Sequence, residues 1–139
     1  MPYDPVMVQP MREELTDIGV EELTTATAVD EFMAQKEGSA MLIVNSVCGC
    51  AAGSARPGIR DALQNGRTPD RVATVFAGQD LEATAQARSY FAHIPPSSPS
   101  VALFNSGELV YMMPRHLIEG RGPDAIAADL TTAFDEHLS

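Results

Sequence analysis

The stretch VNSVCGCAAGSARPG, residues 44–58, decides how the rest of the sequence is interpreted. It holds both cysteines of the chain, Cys48 and Cys50, separated only by Gly49. The apolar run AMLIVN over 40–45 leads into it, and a short continuous apolar run predicts a strand buried on both faces. The alanine-rich residues that follow the cysteines are compatible with a helix. The pair is therefore predicted to lie where a buried strand ends and a helix begins.

Strands and helices alternate on either side of this junction. Helices are predicted over 11–19, 27–38, 58–66, 80–92 and 122–138, and strands over 21–24, 40–45, 71–78 and, as a hairpin turning at 105–107, over 101–113. Thr27 is expected to cap the helix over 27–38. Pro57 is expected to kink or break the helix that follows the cysteines, because proline lacks an N–H and crowds the carbonyl four residues back. This order predicts an α/β fold with a mixed sheet covered by helices on both faces.

Composition limits the kind of protein this can be. At 139 residues the chain is long enough for one domain, predicted over 1–139. A net charge of −10 argues against a nucleic-acid groove and against binding to an anionic membrane surface. No apolar run approaches about 20 residues, and the first residues lack the basic and apolar regions of a signal peptide. A cytoplasmic location is expected, and there paired cysteines are usually catalytic, redox-sensing or metal-binding.

The strand-to-helix junction favours thiol chemistry. The first N–H groups of a helix are unpaired and carry a partial positive charge, which stabilises a thiolate and lowers its pKa. Two side chains spaced by one residue point apart within a helix, so Cys48 is expected to precede the helix and Cys50 to lie in its first turn. Gly49 would supply the backbone freedom that so short a spacing needs.

Two other interpretations of the cysteines stay open. They could be small hydrophobic residues of a core. They could also bind a metal together with His93, His116 or His137, although no second cysteine pair and no H-x₃-H spacing completes a tetrahedral site. We expect no metal.

Several motifs together resemble a known family. From about Glu21 onward the element order resembles the thioredoxin fold, and SSPSVALFNSGELV, over 97–110, matches the segment in which that fold carries a cis-proline, here Pro99. The motifs VNSVCGCAAGSARPG, PPSSPS and PRHLIEG resemble more narrowly the bacilliredoxin family, and the opening MVQPMREELTDIG resembles its N-terminal extension. The resemblance implies a thioredoxin-like, three-layer α/β/α fold with a helical extension over 1–20.

The resemblance also implies an activity. Bacilliredoxins remove the thiol bacillithiol from mixed disulfides on protein cysteines, so bacillithiol would be a co-substrate, bacillithiolated client proteins the partners, and no metal or organic cofactor would be needed. Cys48 would be the nucleophile and Cys50 the resolving thiol, with Pro99 as the cis-proline. The residues expected to bind substrate are Asn45, Gly49, Ser98, Arg115 and His116, and Arg56 could also meet the carboxylates of bacillithiol. A solvated surface role for Arg115 and His116 stays open, as do a general disulfide isomerase or reductase and a metal-binding module that uses the cysteines.

Overall fold

The computed structural model describes residues 2–64 and 66–138, which form a five-stranded sheet flanked by helices. The helices are α1 (Pro5–Thr16), α2 (Ala26–Ala34), α3 (Arg56–Leu63), α4 (Leu81–Ser89) and α5 (Pro123–His137). The strands are β1 (Glu21–Glu22), β2 (Ser39–Asn45), β3 (Arg71–Phe76), β4 (Ser100–Asn105) and β5 (Glu108–Met113). A π-helical turn spans Ala51–Ala55 and a 3₁₀ turn spans Arg115–Leu117. The predicted alternation of strands and helices is confirmed; Asn65, inside the helix predicted over 58–66, lies outside the described residues.

The sheet is mixed and has β2 at its centre. Its strand order is β1-β3-β2-β4-β5, with β1, β3 and β2 parallel, β4 antiparallel to β2, and β5 antiparallel to β4. All seven residues of β2 are buried, as the continuous apolar run predicted. The carboxyl end of β2 therefore lies in the middle of one end of the sheet, and the cysteines follow directly from it.

Alternate residues of β2 face two separate cores, because successive side chains of a strand point to opposite faces. Met41 and Ile43 pack in the core that contains residues of α1, α3 and α5. Leu42 and Val44 pack in the core that contains residues of α2 and α4. The first core also contains the apolar side chains of α5 and the residue after it: Ile126, Leu130, Ala133, Phe134 and Leu138. The result is the predicted three-layer arrangement.

The hairpin of β4 and β5 closes through a two-residue turn. Ser106 and Gly107 both have positive φ, 54° and 83°, as a type I′ turn requires. The register shifts between Leu103 and Phe104, which leaves Val110 without a partner on β4. Val110 and Tyr111 consequently both pack on the core of α3 and α5, although they are consecutive residues.

Helix α1 starts earlier and ends earlier than the helix predicted over 11–19. Asp4 caps it by accepting the N–H of Val6 at 2.9 Å, and Pro10 lies inside it. Its Leu15 is fully buried in the core of α3 and α5. The start of the helix was missed because a proline in a helix interior normally argues against helix.

Arg12 anchors α1 to the body of the protein. Its guanidinium lies 2.9 Å from Glu22 of β1 and 2.7 Å from Asp80, the residue before α4. It also lies over the ring of Phe76, 5.3 Å from the centroid, and side-chain hydrogen bonding to Asp80 raises its pKa. Helix α1 is thus held beside the carboxyl ends of β1 and β3.

The prediction that Thr27 caps α2 is wrong. Thr25 has the extended backbone of a cap, and its hydroxyl accepts the N–H of Ala28 at 3.0 Å. The helix ends at Ala34 rather than near Gly38, which instead has a φ of +76° in the turn that leads into β2.

Among residues 2–64 and 66–138, none of the helices combines the length and the apolar character that a membrane span requires. The interpretation of 1–139 as one domain, with 1–20 as an extension, stays a prediction.

Candidate active site

The two cysteines lie where the sequence predicted them. Cys48 precedes the helix, and its carbonyl accepts the first helical bonds, from the N–H groups of Ala51 at 3.1 Å and Ala52 at 3.2 Å. Cys50 lies in the first turn. Gly49 between them is exposed, and its φ is not in the left-handed region while both cysteines are free. A Cβ at this position would meet nothing within 4 Å, so the space around Gly49 is open.

The helix after the cysteines is widened rather than broken. Residues Ala51–Ala55 form a π-helical turn, in which the N–H of Arg56 donates to the carbonyl of Ala51, five residues back. Pro57 follows this wide turn directly, as the second residue of α3. Helical structure thus continues through Pro57 with one wide turn before it, so the expected break at Pro57 is absent.

The two sulfur atoms are in contact. The Sγ atoms of Cys48 and Cys50 lie 2.7 Å apart, both cysteines are free, and both are partly buried. Each thiol therefore lies close enough to attack a mixed disulfide that the other cysteine forms with a substrate. This arrangement contradicts the interpretation of the cysteines as ordinary core residues.

The environment of Cys48 favours its thiolate. Partial burial acts to raise the pKa of this thiol. Hydrogen bonds from the Cys50 thiol and the Ser46 hydroxyl act in the opposite direction, as do the backbone N–H groups at the start of the helix. Together they lower the pKa of Cys48 below its ordinary value.

Cys50 has the opposite tendency. Burial raises the pKa of its thiol, and so do the hydrogen bond to Cys48 and the repulsion by a thiolate at that position. The Arg115 guanidinium lowers the pKa of Cys50 without reversing this balance. At neutral pH the pair therefore consists of one activated thiol and one thiol that keeps its proton.

Asn45 and Ser46 support the turn before Cys48. The Ser46 N–H donates to Asn45 Oδ1 at 2.8 Å, and the Cys48 N–H donates to Ser46 Oγ at 3.3 Å. The Asn45 amide also donates to the carbonyl of Met11 at 3.2 Å. Asn45 is only 1% exposed. Its polar atoms are therefore bonded within the protein, where they support the turn, and a role in substrate binding stays a prediction.

Arg56 is likewise unavailable to a substrate, because it is 2% exposed. Its Nη1 donates to Asn45 Oδ1 at 3.0 Å and to the carbonyl of Ser46 at 2.7 Å, and its Nε lies 3.2 Å from a carboxylate oxygen of Glu14. Sequence reasoning missed this cluster, because nothing in the spacing of the residues indicates that α1 reaches the helix after the cysteines.

Pro99 lies beside this turn. The peptide bond from Ser98 to Pro99 is cis, and Pro99 is buried. Val44 pairs with Ser100 across β2 and β4, so the next step of the antiparallel register places Pro99 opposite Asn45, three residues before Cys48. The loop of Pro99 and the cysteine turn are thus neighbours at the same end of the sheet.

Arg115 connects the proline loop with the cysteines. Its N–H donates to Ser97 Oγ at 3.1 Å, and its guanidinium donates to the carbonyl of Ser98 at 3.3 Å and to Glu119 at 2.7 Å. The hydrogen bond to Glu119 and the charges of both cysteines raise the pKa of Arg115. Its partly exposed positive charge therefore acts on the two sulfur atoms.

His116 is exposed and faces a different feature. It lines an apolar groove of about 310 Å³. The other residues lining this groove are Ile94, Pro95, Pro96, Ser97 and Pro114. Arg115 and His116 thus come from one turn but take different positions, one near the cysteines and one on the groove.

Within residues 2–64 and 66–138, no three or more His, Cys, Asp or Glu side chains are grouped so that they could hold a metal ion.

The fold has well-defined relatives among solved structures. Mitochondrial thioredoxin 3 from Saccharomyces cerevisiae, in its oxidized form, superposes with a TM-score of 0.57 at 15% identity, over 88% of this chain and 98% of the other. A thioredoxin from Aeropyrum pernix superposes with a TM-score of 0.54 at 17% identity, over 78% and 83%. The fold is therefore the thioredoxin fold, as predicted. With two adjacent thiols at the end of its central strand, the chain is a thiol–disulfide oxidoreductase.

The sequence comparisons give the family. Residues 3–138 match the family described as Disulphide isomerase. A bacilliredoxin of Shouchella clausii is 54% identical over 99% of this chain and 97% of its own length, and a bacilliredoxin of Koribacter versatilis is 56% identical over 97% and 93%. The chain belongs to the bacilliredoxin family, which confirms the resemblance.

Proposed function

We propose that the enzyme removes bacillithiol from mixed disulfides on protein cysteines. The observation that carries this proposal is the pairing of a thiol of lowered pKa, Cys48, with a thiol of raised pKa, Cys50, 2.7 Å away. The names of the relatives support bacillithiol as the thiol that is removed.

The reaction consists of two thiol–disulfide exchanges. The Cys48 thiolate attacks the bacillithiol sulfur, a Cys48–bacillithiol disulfide forms, and the client cysteine leaves as a thiolate that takes up a proton. Cys50 then loses its proton and attacks Cys48 Sγ, which releases bacillithiol and leaves a Cys48–Cys50 disulfide. Alternatively a second bacillithiol attacks the bound one, so that bacillithiol disulfide leaves and the Cys48 thiolate returns. No metal or organic cofactor takes part in these steps.

The proline loop and Arg115 are proposed to bind the substrate. Arg115 presents a positive charge beside the cysteines and is suited to the carboxylates of bacillithiol. Ser98 and Pro99 present backbone at the same end of the sheet as the cysteine turn, Gly49 leaves the approach open, and His116 contacts the part of the client that lies over the groove. Bacillithiolated proteins in the cytoplasm are the proposed partners, and the net charge of −10 disfavours nucleic acid.

General disulfide isomerisation is a second candidate, favoured by the description of the family that the chain matches. The same Cys48 thiolate would attack a disulfide within a misfolded client, and the client's own thiol would resolve the mixed disulfide. The two candidates differ in which disulfide is attacked, not in the residues that attack it.

Single-turnover mass spectrometry with one bacillithiolated peptide tests the proposal. In Cys50→Ser, bacillithiol should accumulate on Cys48, because attack proceeds and resolution does not. In Cys48→Ser no adduct should form, because a serine hydroxyl is not a nucleophile at neutral pH. An adduct on Cys50 in Cys48→Ser would reverse the two roles.

The same peptide carrying glutathione in place of bacillithiol separates the candidates. Release of bacillithiol at least about tenfold faster than glutathione, a difference of about 1.4 kcal/mol in the barrier, supports the bacilliredoxin activity. Equal rates, together with rearrangement of a scrambled disulfide protein, would support the isomerase instead. Arg115→Gln should reduce the preference for bacillithiol, with Arg60→Gln, on the exposed surface of α3, as the control.

A further inference from the structure

We infer that Arg56 is a positioning residue for the attacking cysteine: its buried guanidinium holds the Asn45–Ser46 turn from which Cys48 projects, and Glu14 ties it to α1. The inference rests on the proposed role of Cys48 as the nucleophile. It concerns how that thiol is held and does not depend on which disulfide it attacks.

The contacts of Arg56 converge on one turn. Nη1 donates to both Asn45 Oδ1 and the Ser46 carbonyl, at 3.0 and 2.7 Å. These two acceptors belong to the last residue of β2 and to the residue that follows it, just before Cys48. A guanidinium that binds both of them fixes the direction in which the chain leaves the sheet.

The same turn positions Cys48. Asn45 Oδ1 accepts the Ser46 N–H as well as Arg56, and Ser46 Oγ accepts the Cys48 N–H at 3.3 Å. The Ser46 hydroxyl is also one of the groups that lower the pKa of Cys48. Displacement of Ser46 would therefore weaken the stabilisation of the thiolate, although Arg56 itself does not touch the sulfur.

Helix α1 completes the arrangement. Glu14 Oε2 lies 3.2 Å from Arg56 Nε, an ion pair without the geometry of a hydrogen bond, and the carbonyl of Met11 accepts from Asn45 Nδ2 at 3.2 Å. Glu14 is partly exposed while Arg56 is buried, so the carboxylate partly compensates the charge that Arg56 carries into the interior. The N-terminal helix thus contributes to the support of the active-site turn.

The chemistry of arginine explains why this residue suits the position. A planar guanidinium presents donors in a rigid fork and can bind several acceptors while it faces a carboxylate. A lysine ammonium is a compact point charge and could not span the same groups. Arg115, whose charge acts on the two cysteines, lies on the 3₁₀ turn after β5 and is bonded to Ser98 and Glu119, not to this turn.

The test measures the pH dependence of iodoacetamide alkylation of Cys48, in a Cys50→Ser background so that one thiol is present. Arg56→Met should move the midpoint upward and slow alkylation at pH 7 by about tenfold, the size expected when one hydrogen bond to a charged group is lost. Arg56→Lys should restore only part of the rate. Arg12→Met is the matched control, because Arg12 is also a mostly buried arginine that ties α1 to the body, but it contacts Glu22 and Asp80 instead. It should lower stability and leave the midpoint unchanged.

Two further variants keep the inference testable if Arg56→Met does not fold. Glu14→Gln should give a smaller shift in the same direction. Ser46→Ala should also move the midpoint of Cys48 alkylation upward. The double variant Ser46→Ala with Arg56→Lys should show little further shift, because both changes act through the same hydroxyl. Three results would overturn the inference. They are an unchanged alkylation midpoint in Arg56→Met or Glu14→Gln, a midpoint shift in Arg12→Met as large as that in Arg56→Met, and full additivity of the shifts caused by Arg56→Lys and Ser46→Ala. Since alkylation requires no bacillithiol, these outcomes are independent of whether the enzyme prefers that thiol.

Discussion

Gly58 is the position at which one added methyl group should matter most. It is buried in α3 where that helix crosses α5. A Cβ built on Gly58 would lie 2.7 Å from both Cβ and Cγ2 of Ile126 and 3.0 Å from the carbonyl oxygen of Pro123. Ordinary contact begins at 3.4 Å, so α3 and α5 would have to separate by about 0.7 Å.

Two effects of Gly58→Ala oppose each other. Alanine in a helix interior is favoured over glycine by about 1 kcal/mol. Overpacking a core by one methyl group costs about 1–3 kcal/mol, and the upper part of that range applies here. The reason is that Ile126 is β-branched and cannot rotate away, while the third contact is backbone. We expect a net loss of about 1–2 kcal/mol in the free energy of unfolding.

Urea denaturation followed by circular dichroism measures this loss. Gly53→Ala is the matched control, because Gly53 lies one turn earlier in the same helical segment and a Cβ there would meet nothing within 4 Å. This variant should be unchanged in stability or more stable by up to about 1 kcal/mol. If Gly58→Ala were as stable as Gly53→Ala, the close approach of α3 and α5 would not limit the packing of this core, and the reasoning would fail.

Two more predictions concern the thiols and a helix cap. As pH rises, alkylation of the reduced wild type should begin at Cys48 and reach Cys50 only at higher pH, because the pKa of Cys48 is lowered and that of Cys50 is raised. Peptide mass spectrometry shows which cysteine is labelled first, and earlier labelling of Cys50 would contradict the prediction. Thr25→Ala should cost about 1 kcal/mol in unfolding free energy, because the hydroxyl that caps α2 is removed. Thr27→Ala should cost much less, and equal losses would show that the cap has been assigned to the wrong threonine.

The elements predicted correctly are those in which the pattern of apolar residues in the sequence matches the burial of the same residues in the structure. The run over 40–44 is apolar throughout, and β2 is buried throughout, as a strand covered on both faces requires. The hairpin was recognisable because Ser106 and Gly107 stand between two apolar runs, and the turn they form uses both positive φ values. The position of Cys48 and Cys50 then followed from the end of β2 and from the motif around them.

The errors arose where tertiary contacts override local preference. Helix α1 continues through Pro10 because burial of residues such as Leu15 and the ion pairs of Arg12 hold it in place. Helical spacing alone could not show that Pro57 would be accommodated by a π turn in front of it. The burial of Arg56 could not be predicted from the sequence, since only the folded chain brings Glu14 and the Asn45–Ser46 turn to it.

The two outer strands of the sheet also bear on aggregation. An outer strand leaves N–H and C=O groups without partners along one side, and another molecule can add a strand to such a row. At one border β1 has only two residues, too few to serve as a template. At the other border β5 is six residues long, but the unpaired Val110 distorts it and Pro114 follows its last residue. Together with a net charge of −10, these borders make the native protein a poor seed for intermolecular β-structure.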